Sequence, residues 1–313
     1  MNRVFIFPGQ GSQAVGMGKS VAEAFGVARE AFDEVNDALS QNLSRLIFEG
    51  PESDLILTEN AQPAIMAVSM AITRVLQSQA GLDMAQHSGF VAGHSLGEYS
   101  ALCAMGALSL ADAAKLLRIR GHSMQEAVPV GEGAMSALIG LDVEIVEAVC
   151  EEAKEIGVVV IANDNAPGQI VISGNAQAVE KAGQIAKEKG ARRVIPLTVS
   201  APFHSPLLAP AADVMREALD AVTILPLSVP IVSNITAEAT SEPVTIRDLL
   251  VTQVTGRVRW RESVASFRAL GADRTVEIGG NKVLTGMVKR IDKELGTLSL
   301  DSPADIEAFA STL

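Results

Sequence analysis

The sequence predicts an α/β protein in which helices flank a parallel sheet and a second, smaller domain is inserted. Short β-branched runs alternate with longer stretches of helical periodicity, and strand, turn and helix follow one another repeatedly. One segment departs from this alternation and has the order β-α-β-β-α-β. A chain of 313 residues is long enough for one large core or two unequal domains.

The elements predicted for the large domain lie on both sides of the insertion. Residues 4–7 form a short strand that Pro8-Gly9 stops, and residues 89–92 form a second strand. Helical spacing predicts helices at 21–39, at 61–79 and at 111–124, and a further helix that follows residues 93–97 and ends at about 105. The sheet is expected to resume with strands at 229–233 and 274–278. We therefore assign residues 1–129 and 200–313 to the large domain.

The inserted segment, residues 130–199, is expected to form a ferredoxin-like (βαββαβ) small domain. Its strands are predicted at 133–141, 158–162, 169–173 and 192–199. Two helices, at 143–156 and 176–189, separate the first and last strand pairs. The remaining stretch, residues 163–168, is predicted to be a turn between the middle strands because it contains Asn, Asp, Pro and Gly.

Composition excludes several classes of function. With 48% hydrophobic and 20% charged residues the chain is not a disordered one. Its net charge of −12 makes it a poor nucleic-acid binder, and it has no apolar run long enough for a spanning helix or a secretory signal. The two cysteines, Cys103 and Cys150, form no CxxC motif, which indicates a reducing compartment. We therefore expect a cytoplasmic protein that binds neither nucleic acid nor membrane.

The strongest local signal is the Gly-His-Ser-Leu-Gly sequence at residues 93–97. Between a strand and a helix, a Gly-x-Ser-x-Gly motif forms a tight turn that lifts the serine oxygen clear of the sheet. The N-terminus of the next helix then lies beside the nucleophile with its free N–H groups. Ser95 is therefore the predicted nucleophile, and the large domain is expected to be α/β-hydrolase-like. The alternative is an ordinary glycine-rich turn.

A serine nucleophile needs a base, and the chain contains four histidines. Structural interpretations are favoured for three of them, His87 in a polar loop, His94 under the turn and His122 on a different helix face from Arg120. His204 lies in a loop that Pro202 and Pro206 make stiff, and it follows the serine in chain order. It is the predicted base, and the alternative is an ordinary surface histidine.

Two more features could complete an active site. The loop at residues 7–13 lacks the glycines of a dinucleotide or P-loop motif, but its small residues can present backbone N–H groups to an oxyanion. Arg118 and Arg120 lie on an otherwise apolar helix, where an arginine is more often exposed or ion-paired. If Arg120 is buried near Ser95, its planar fork would hold a substrate carboxylate with two bonds.

Six motifs occur in a specific order along the chain. They are FPGQGSQ at 7–13, GHSLGEYSAL at 93–102, RG with MQEAVP at 120–129, NAPGQIVISG at 165–174, the PxH loop at 202–204, and VEIGGNKVLTGMVKR at 276–290. In this order and spacing the chain resembles the malonyl-CoA:acyl carrier protein transacylases, the loading enzymes of type II fatty-acid synthesis. The resemblance covers essentially the whole chain.

The resemblance implies a role for each candidate catalytic residue. Ser95 corresponds to the acylated nucleophile and His204 to its base. Gln253 falls where the family orients the histidine through a carbonyl oxygen, so that no triad aspartate is required. The surrounding sequence, VTQVTGRVRW, matches the family only loosely.

The resemblance also implies how the substrate is held. Backbone N–H groups of Gln10 and Leu96 correspond to the oxyanion hole, and Arg120 to the arginine that pairs with the malonyl carboxylate. Residues 279–282 read Gly-Gly-Asn-Lys where the family usually has Gly-Pro-Gly-Lys, which we interpret as a loop variation. Phe203 stands where many bacterial members have serine, and its ring favours malonyl over branched acyl groups.

The activity implied is that of an acyl-carrier-protein S-malonyltransferase that works by a ping-pong malonyl-serine mechanism. Malonyl-CoA and acyl carrier protein are the expected partners, a monomer is the expected state, and neither a metal nor a redox cofactor is required. A serine esterase and a non-catalytic carrier-protein-binding module are the alternatives. The candidate docking cations for an acidic carrier protein are Lys187, Lys189, Arg192, Arg193, Arg257, Arg259 and Arg261, unless they are merely solvated surface charges.

Overall fold

Strands from both halves of the chain build two sheets in the computed structural model, which describes residues 2–199 and 201–313. Met1 and Ser200, which the predicted domain limits include, lie outside the described residues. In chain order the strands are β1 (Arg3–Phe7), β2 (Ser88–Gly93), β3 (Gly133–Ile139), β4 (Val159–Ala166), β5 (Gln169–Asn175), β6 (Arg193–Pro196), β7 (Ile231–Val232), β8 (Ala239–Thr240), β9 (Arg274–Ile278) and β10 (Gly296–Leu300).

The larger sheet has the spatial order β10-β9-β1-β2-β7-β8. Its first five strands pair in parallel, and the two-residue β8 pairs antiparallel with β7 at one edge. Every residue of the apolar β1 is buried, because helices cover both faces of a parallel sheet. The predicted parallel sheet is confirmed. The strand expected at 229–233 is shorter than predicted and comprises only the two residues of β7. Strands β8 and β10 were not predicted from the sequence.

Helices occupy most of the remaining chain. In order they are α1 (Lys19–Ala24), α2 (Gly26–Leu39), α3 (Leu43–Glu49), α4 (Glu52–Leu55), α5 (Thr58–Ala80), α6 (Met84–His87), α7 (Gly97–Ala104), α8 (Leu110–Glu126), α9 (Val143–Ala153), α10 (Ala176–Glu188), α11 (Ala209–Asp220), α12 (Pro243–Thr255), α13 (Trp260–Ser266), α14 (Val283–Ile291) and α15 (Pro303–Ala310). None of the described helices is long and apolar enough to cross a membrane.

The single helix predicted at 21–39 is wrong, because two helices, α1 and α2, occupy this region. Phe25 lies between them with extended backbone angles (φ −128°, ψ 119°). Its ring packs against the buried core of the large sheet, so the chain leaves the helical path for one residue to place an aromatic side chain. Gly26 then starts α2 in a new direction.

The smaller sheet has the order β4-β5-β3-β6, and all of its pairs are antiparallel. Together with α9 and α10 it forms the predicted ferredoxin-like arrangement, around its own apolar cluster. The predicted turn at 163–168 is largely wrong, because β4 continues to Ala166 across two register shifts. The domain limits at 129/130 and 199/200 stay predictions.

The end of β4 is also bonded to the large domain. Asp164 N donates to Val258 O at 2.9 Å, and Val258 N donates to Ala162 O at 2.8 Å. These bonds hold β4 beside the carboxyl ends of β1 and β2. In open α/β sheets ligands bind at that edge, so the small sheet forms one wall of the region where a site is expected.

Candidate active site

The nucleophile motif forms a sharp turn between β2 and α7. Ser95 has a left-handed backbone (φ 53°), a strained conformation for a side chain other than glycine. A Cβ on Gly93 would lie 2.0 Å from the backbone of Gly97, and one on Gly97 would lie 2.2 Å from the carbonyl oxygen of Phe7. Both glycines are therefore required because strand and helix backbones touch here. The motif forms the tight strand-to-helix turn that the sequence predicted.

The structure brings Ser95 and His204 together. Ser95 Oγ lies 2.9 Å from His204 Nε2, and His204 Nδ1 lies 2.8 Å from the backbone oxygen of Gln253. A carbonyl oxygen only accepts hydrogen bonds, so Nδ1 carries the proton of the neutral ring. The lone pair of Nε2 therefore faces the serine hydroxyl, which is the arrangement that a general base needs.

His204 is held in its neutral form. The residue is 4% exposed, and burial together with the nearby charge of Arg120 lowers its pKa to about 3. Both causes disfavour a second positive charge in the site. The imidazole is consequently unprotonated across the physiological pH range.

Arg120 lies beside the serine and is buried, which is the condition that the sequence analysis set for a carboxylate-binding residue. It is 1% exposed, and its Nη2 donates to Ser95 Oγ at 3.1 Å and to Gln253 Oε1 at 2.8 Å. Its Nη1 donates to Gln62 Oε1 at 2.7 Å. Arg118, two residues earlier in α8, contacts Asn60 and Gln41 instead. The guanidinium of Arg120 is therefore the cation that faces the nucleophile.

A buried polar network lies beneath the nucleophile. Asn234 accepts from Ser95 N at 2.7 Å and donates to Gly93 O at 2.7 Å, so it holds both sides of the turn. Glu98 Oε1 accepts from Asn234 N at 2.6 Å, and its second oxygen accepts from the Gln253 amide. One carboxyl group thus connects the turn with the residue that orients His204.

Burial raises the pKa of Glu98 to about 8. The N–H donors of Asn234 and Gln253 and the charge of Arg120 oppose this shift because they stabilise the carboxylate. Glu98 contacts neither His204 nor the cavity. It is therefore a positioning residue under the site.

Gln10 and Leu96 both line the cavity above Ser95. Among the hydrogen bonds of the described residues, neither backbone N–H donates to an acceptor. Two such groups beside a serine nucleophile are suited to stabilise an oxyanion. A Cβ on Gly9 would lie 2.6 Å from His94 O, so the Gln10 loop can approach the turn only with glycine there.

The cavity above Ser95 has a volume of about 510 Å³, within the range of small-molecule sites. Strands of the smaller sheet form one wall, and loops and helices that follow the strands of the larger sheet form the rest. Its apolar lining residues include three methionines and Phe203, whereas Asn163 and Asn165 reach it from β4. Because the sequence predicted a turn at these two asparagines, it gave no reason to place them in the site.

The other histidines have structural surroundings, as predicted. His94 Nε2 lies 2.8 Å from Asn165 Oδ1, its ring meets Trp260 edge-on at 5.6 Å, and burial lowers its pKa. His122 is exposed and lies 3.1 Å from Glu59. His87 is partly buried at the end of the short helix α6, so the prediction of a solvated loop residue is wrong.

Four residues of the site, Gln62, Glu98, Asn234 and Asn165, were missed as functional candidates. Glu98 did leave a signal, since it is the single charged residue of the short helix α7. A glutamate is almost never fully buried without a partner. Gln62 left no such signal, because α5 contains many other polar residues. Asn234 left no local signal, because its role depends on contact with residues 139 and 141 positions away.

Several of the candidate docking cations have structural partners. Arg257 and Arg261 pair with the buried carboxylate of Asp164, and Arg259 pairs with Glu262. Lys189 lies 3.1 Å from Glu152. These four residues form ion pairs within the chain, which neither the docking interpretation nor that of solvated surface charges had predicted.

A left-handed serine on a strand-to-helix turn, a neutral histidine at hydrogen-bond distance and free N–H groups beside it define a serine-dependent acyl-transfer site. Residues 4–302 match the family model described as the acyl transferase domain, and the chain belongs to this family.

Three similar proteins carry the names of malonyl transferases. The malonyl CoA-acyl carrier protein transacylase of Bacillus subtilis (strain 168) is 47% identical over 99% of this chain and 96% of its own length. The acyl-carrier-protein S-malonyltransferase of Bartonella henselae is 55% identical with a TM-score of 0.98, over 100% of this chain and 99% of that one. A malonyl-transacylase solved in complex with a type II PKS acyl-carrier protein is 40% identical, with a TM-score of 0.96 over 100% of both chains.

Proposed function

We propose that this protein transfers a malonyl group from CoA to the phosphopantetheine thiol of an acyl carrier protein, through a malonyl ester of Ser95. The observation that carries the proposal is that two groups, His204 and Arg120, converge on the side-chain oxygen of Ser95. Ser95 Oγ lies 2.9 Å from His204 Nε2 and 3.1 Å from Arg120 Nη2. A nucleophile, its base and a buried cation for the free carboxylate therefore meet where the acyl group must sit. The names of the relatives support the same reaction.

In the first half-reaction Ser95 Oγ attacks the thioester carbonyl while His204 Nε2 takes its proton. The N–H groups of Gln10 and Leu96 stabilise the oxyanion, each by about 3 kcal/mol in the barrier. When the C–S bond breaks, the proton passes from His204 to the departing sulfur. CoA leaves as the free thiol, and the malonyl group stays on Ser95.

The second half-reaction reverses these roles. The phosphopantetheine thiol gives its proton to His204 Nε2, and its sulfur attacks the carbonyl of the malonyl-serine ester. The C–O bond then breaks, and Ser95 Oγ recovers the proton. Exchange between thioesters and an oxygen ester involves no change of oxidation state, so the proposed reaction needs neither a metal nor a redox cofactor.

Arg120 is assigned the malonyl carboxylate. Because it is buried, an ion pair with the substrate is little screened by water. Its planar fork suits a carboxylate, whereas a lysine supplies only a point charge.

We also place the protein in the cytoplasm as a monomer. The free thiols of Cys103 and Cys150 support a reducing compartment.

Intact mass spectrometry after incubation with malonyl-, methylmalonyl- and acetyl-CoA tests the proposal. We expect the mass of one malonyl group on the wild type and none on Ser95→Ala. Addition of holo carrier protein should then remove that mass and malonylate the carrier. Release of free malonate without transfer would point to an esterase, and no mass gain at all would point to a binding module.

A further inference from the structure

The guanidinium of Arg120 donates its hydrogen bonds to neutral acceptors. Its Nη1 donates to Gln62 Oε1 at 2.7 Å, and its Nη2 donates to Gln253 Oε1 at 2.8 Å. Within residues 2–199 and 201–313, no carboxylate forms an ion pair with it. An amide oxygen satisfies an N–H donor without cancelling the charge. The positive charge therefore stays available to an incoming anion.

The two glutamines are held very differently. The Gln253 amide nitrogen donates to Ser95 O at 3.0 Å and also to the carboxyl group of Glu98. Among the described residues, the Gln62 amide nitrogen has one acceptor, the thioether sulfur of Met124 at 3.7 Å, and sulfur is a weak acceptor. Moving Gln253 would break strong bonds under the nucleophile, whereas moving Gln62 would break one weak contact. Gln62 also lines the cavity, so its side chain has space beside it.

We propose that Gln62 is a displaceable stand-in for the substrate carboxylate and so sets the selectivity of the site. In the protein without substrate, Gln62 Oε1 accepts a hydrogen bond from Arg120 Nη1. An entering malonyl carboxylate replaces Gln62 as the acceptor of Nη1, while Nη2 keeps its hydrogen bond to Gln253. This inference rests on the proposed function, because it concerns how that reaction chooses its acyl group.

The stand-in changes the origin of selectivity. An acetyl group does not leave Nη1 without a partner, since Gln62 remains in place. The preference for malonyl then equals the difference in strength between two hydrogen bonds of Arg120 Nη1, one to the charged malonyl carboxylate and one to the neutral amide of Gln62. The neutrality of Gln62 is essential, because a carboxylate at this position would compete with the substrate.

Two substitutions at position 62 should move the selectivity in opposite directions. Gln62→Glu supplies a competing carboxylate, so the ratio of kcat/KM for malonyl-CoA to that for acetyl-CoA should fall by about tenfold or more. Gln62→Met keeps the length but removes the acceptor, so an acetyl group now leaves Nη1 unpaired and the ratio should rise by about tenfold. A merely structural role would lower both activities and leave the ratio unchanged.

Gln13→Glu is the matched control for charge. Gln13 also lines the cavity, but its side chain contacts Gly11 N and not Arg120. This variant should shift the ratio much less than Gln62→Glu. An equal shift would mean that any negative charge in the cavity suffices, and that result would overturn the proposal. Ratios within twofold of the wild type, or shifts of the same sign in both Gln62 variants, would also overturn it.

A crystal structure of the malonyl-loaded wild type tests the proposal without a substitution at Gln62. We expect Gln62 Oε1 to have left Arg120 Nη1, while Gln253 Oε1 stays on Nη2. Retention of both amides, or loss of both, contradicts the inference. A wild type that accepts no malonyl group refutes the proposed function itself, whereas a wild type that loads malonyl with Gln62 in place refutes only the stand-in.

Discussion

A single backbone oxygen determines the chemistry of His204. Because Gln253 O can only accept a hydrogen bond, it keeps the ring proton on Nδ1 and leaves Nε2 free for Ser95. In many serine enzymes a carboxylate has this role, and it would raise the pKa of the imidazole. A neutral carbonyl exerts less pull, so burial and Arg120 prevail and the pKa falls to about 3.

This low pKa gives a prediction for acyl loading. A base whose pKa is about 3 stays unprotonated as the pH falls, so kcat/KM for malonyl loading should be flat between pH 7 and pH 5. The rate of mass gain in rapid-quench samples measures it. A decline with a midpoint near 6.5, the ordinary histidine value, would contradict the prediction.

The second residue-scale prediction concerns Glu98. With a pKa of about 8 its carboxyl group is mostly protonated at pH 7 and ionises as the pH rises. The new negative charge, one amide away from Arg120, would offset the charge that binds malonyl. KM for malonyl-CoA should therefore rise severalfold between pH 7 and pH 9, whereas KM for acetyl-CoA should not.

Glu98→Gln is the control for this step, because an amide does not titrate. Its NH2 group replaces one of the two oxygens that accept from Asn234 N and the Gln253 amide, so one hydrogen bond of the network is lost. The variant should keep part of the activity at pH 7 and lose the pH dependence of KM. A variant that still shows this dependence would contradict the prediction. Tyr99, whose pKa burial raises to about 12, does not ionise in this range.

At the scale of elements, the crossing of α5 and α8 sets the distance between Gln62 and Arg120. Gly121 allows it, since a Cβ there would lie 2.5 Å from the carbonyl oxygen of Thr58. Because helix backbones meet at this point, no side chain can move aside to make room. Gly121 thus helps to position Arg120 beside Gln62.

Gly121→Ala should therefore force α8 away from α5. We expect a loss of about 1–3 kcal/mol in the free energy of unfolding and a lower kcat/KM for malonyl-CoA. Gly286→Ala is the matched control, because Gly286 also lies inside a helix but has open space around its Cβ position. That change should stabilise the protein by about 0.5–1 kcal/mol. Urea unfolding of both variants measures the difference, and equal effects would contradict the argument.

At the scale of the whole molecule, Asp164 links β4 of the small sheet to α13 and to the segment that precedes it. It is fully buried, and its carboxylate accepts from Arg257 at 3.1 Å and from Arg261 at 2.7 Å. Its neighbours in β4, Asn163 and Asn165, line the cavity. The ion pairs therefore hold one wall of the site in place.

Asp164→Asn should cost about 3 kcal/mol in the free energy of unfolding, because it removes a buried charge that pairs with Arg261 and Arg257 and leaves Arg257 only its exposed partner, Glu147. KM for malonyl-CoA should also rise as the β4 wall loosens. Glu147→Gln is the control, since Glu147 pairs with the same Arg257 but is 57% exposed. It should cost less than about 1 kcal/mol. Thermal unfolding of both variants would refute the argument if the two losses were alike.

The sequence alone determined the features that depend on neighbouring residues. The turn around Ser95 follows from two glycines that strand and helix backbones require, and the βαββαβ order follows from local periodicity. The stiff loop around His204 and the arginine on an apolar helix were visible in the same way. The roles of Gln10, Leu96 and Gln253 came from the family resemblance, and they stay predictions, although the geometry around each is suited to its role.

Only the tertiary structure decided how these parts meet. Gln253 lies 158 residues from Ser95 and Gln62 lies 58 from Arg120, and no local pattern encodes such contacts. The extension of β4 through a turn-like sequence likewise depends on its bonds to β5 and Val258. Local sequence specifies the conformation of each segment. The neutral state of His204 and the pairing of the Arg120 cation with neutral acceptors arise only when burial removes water from groups that distant segments bring together.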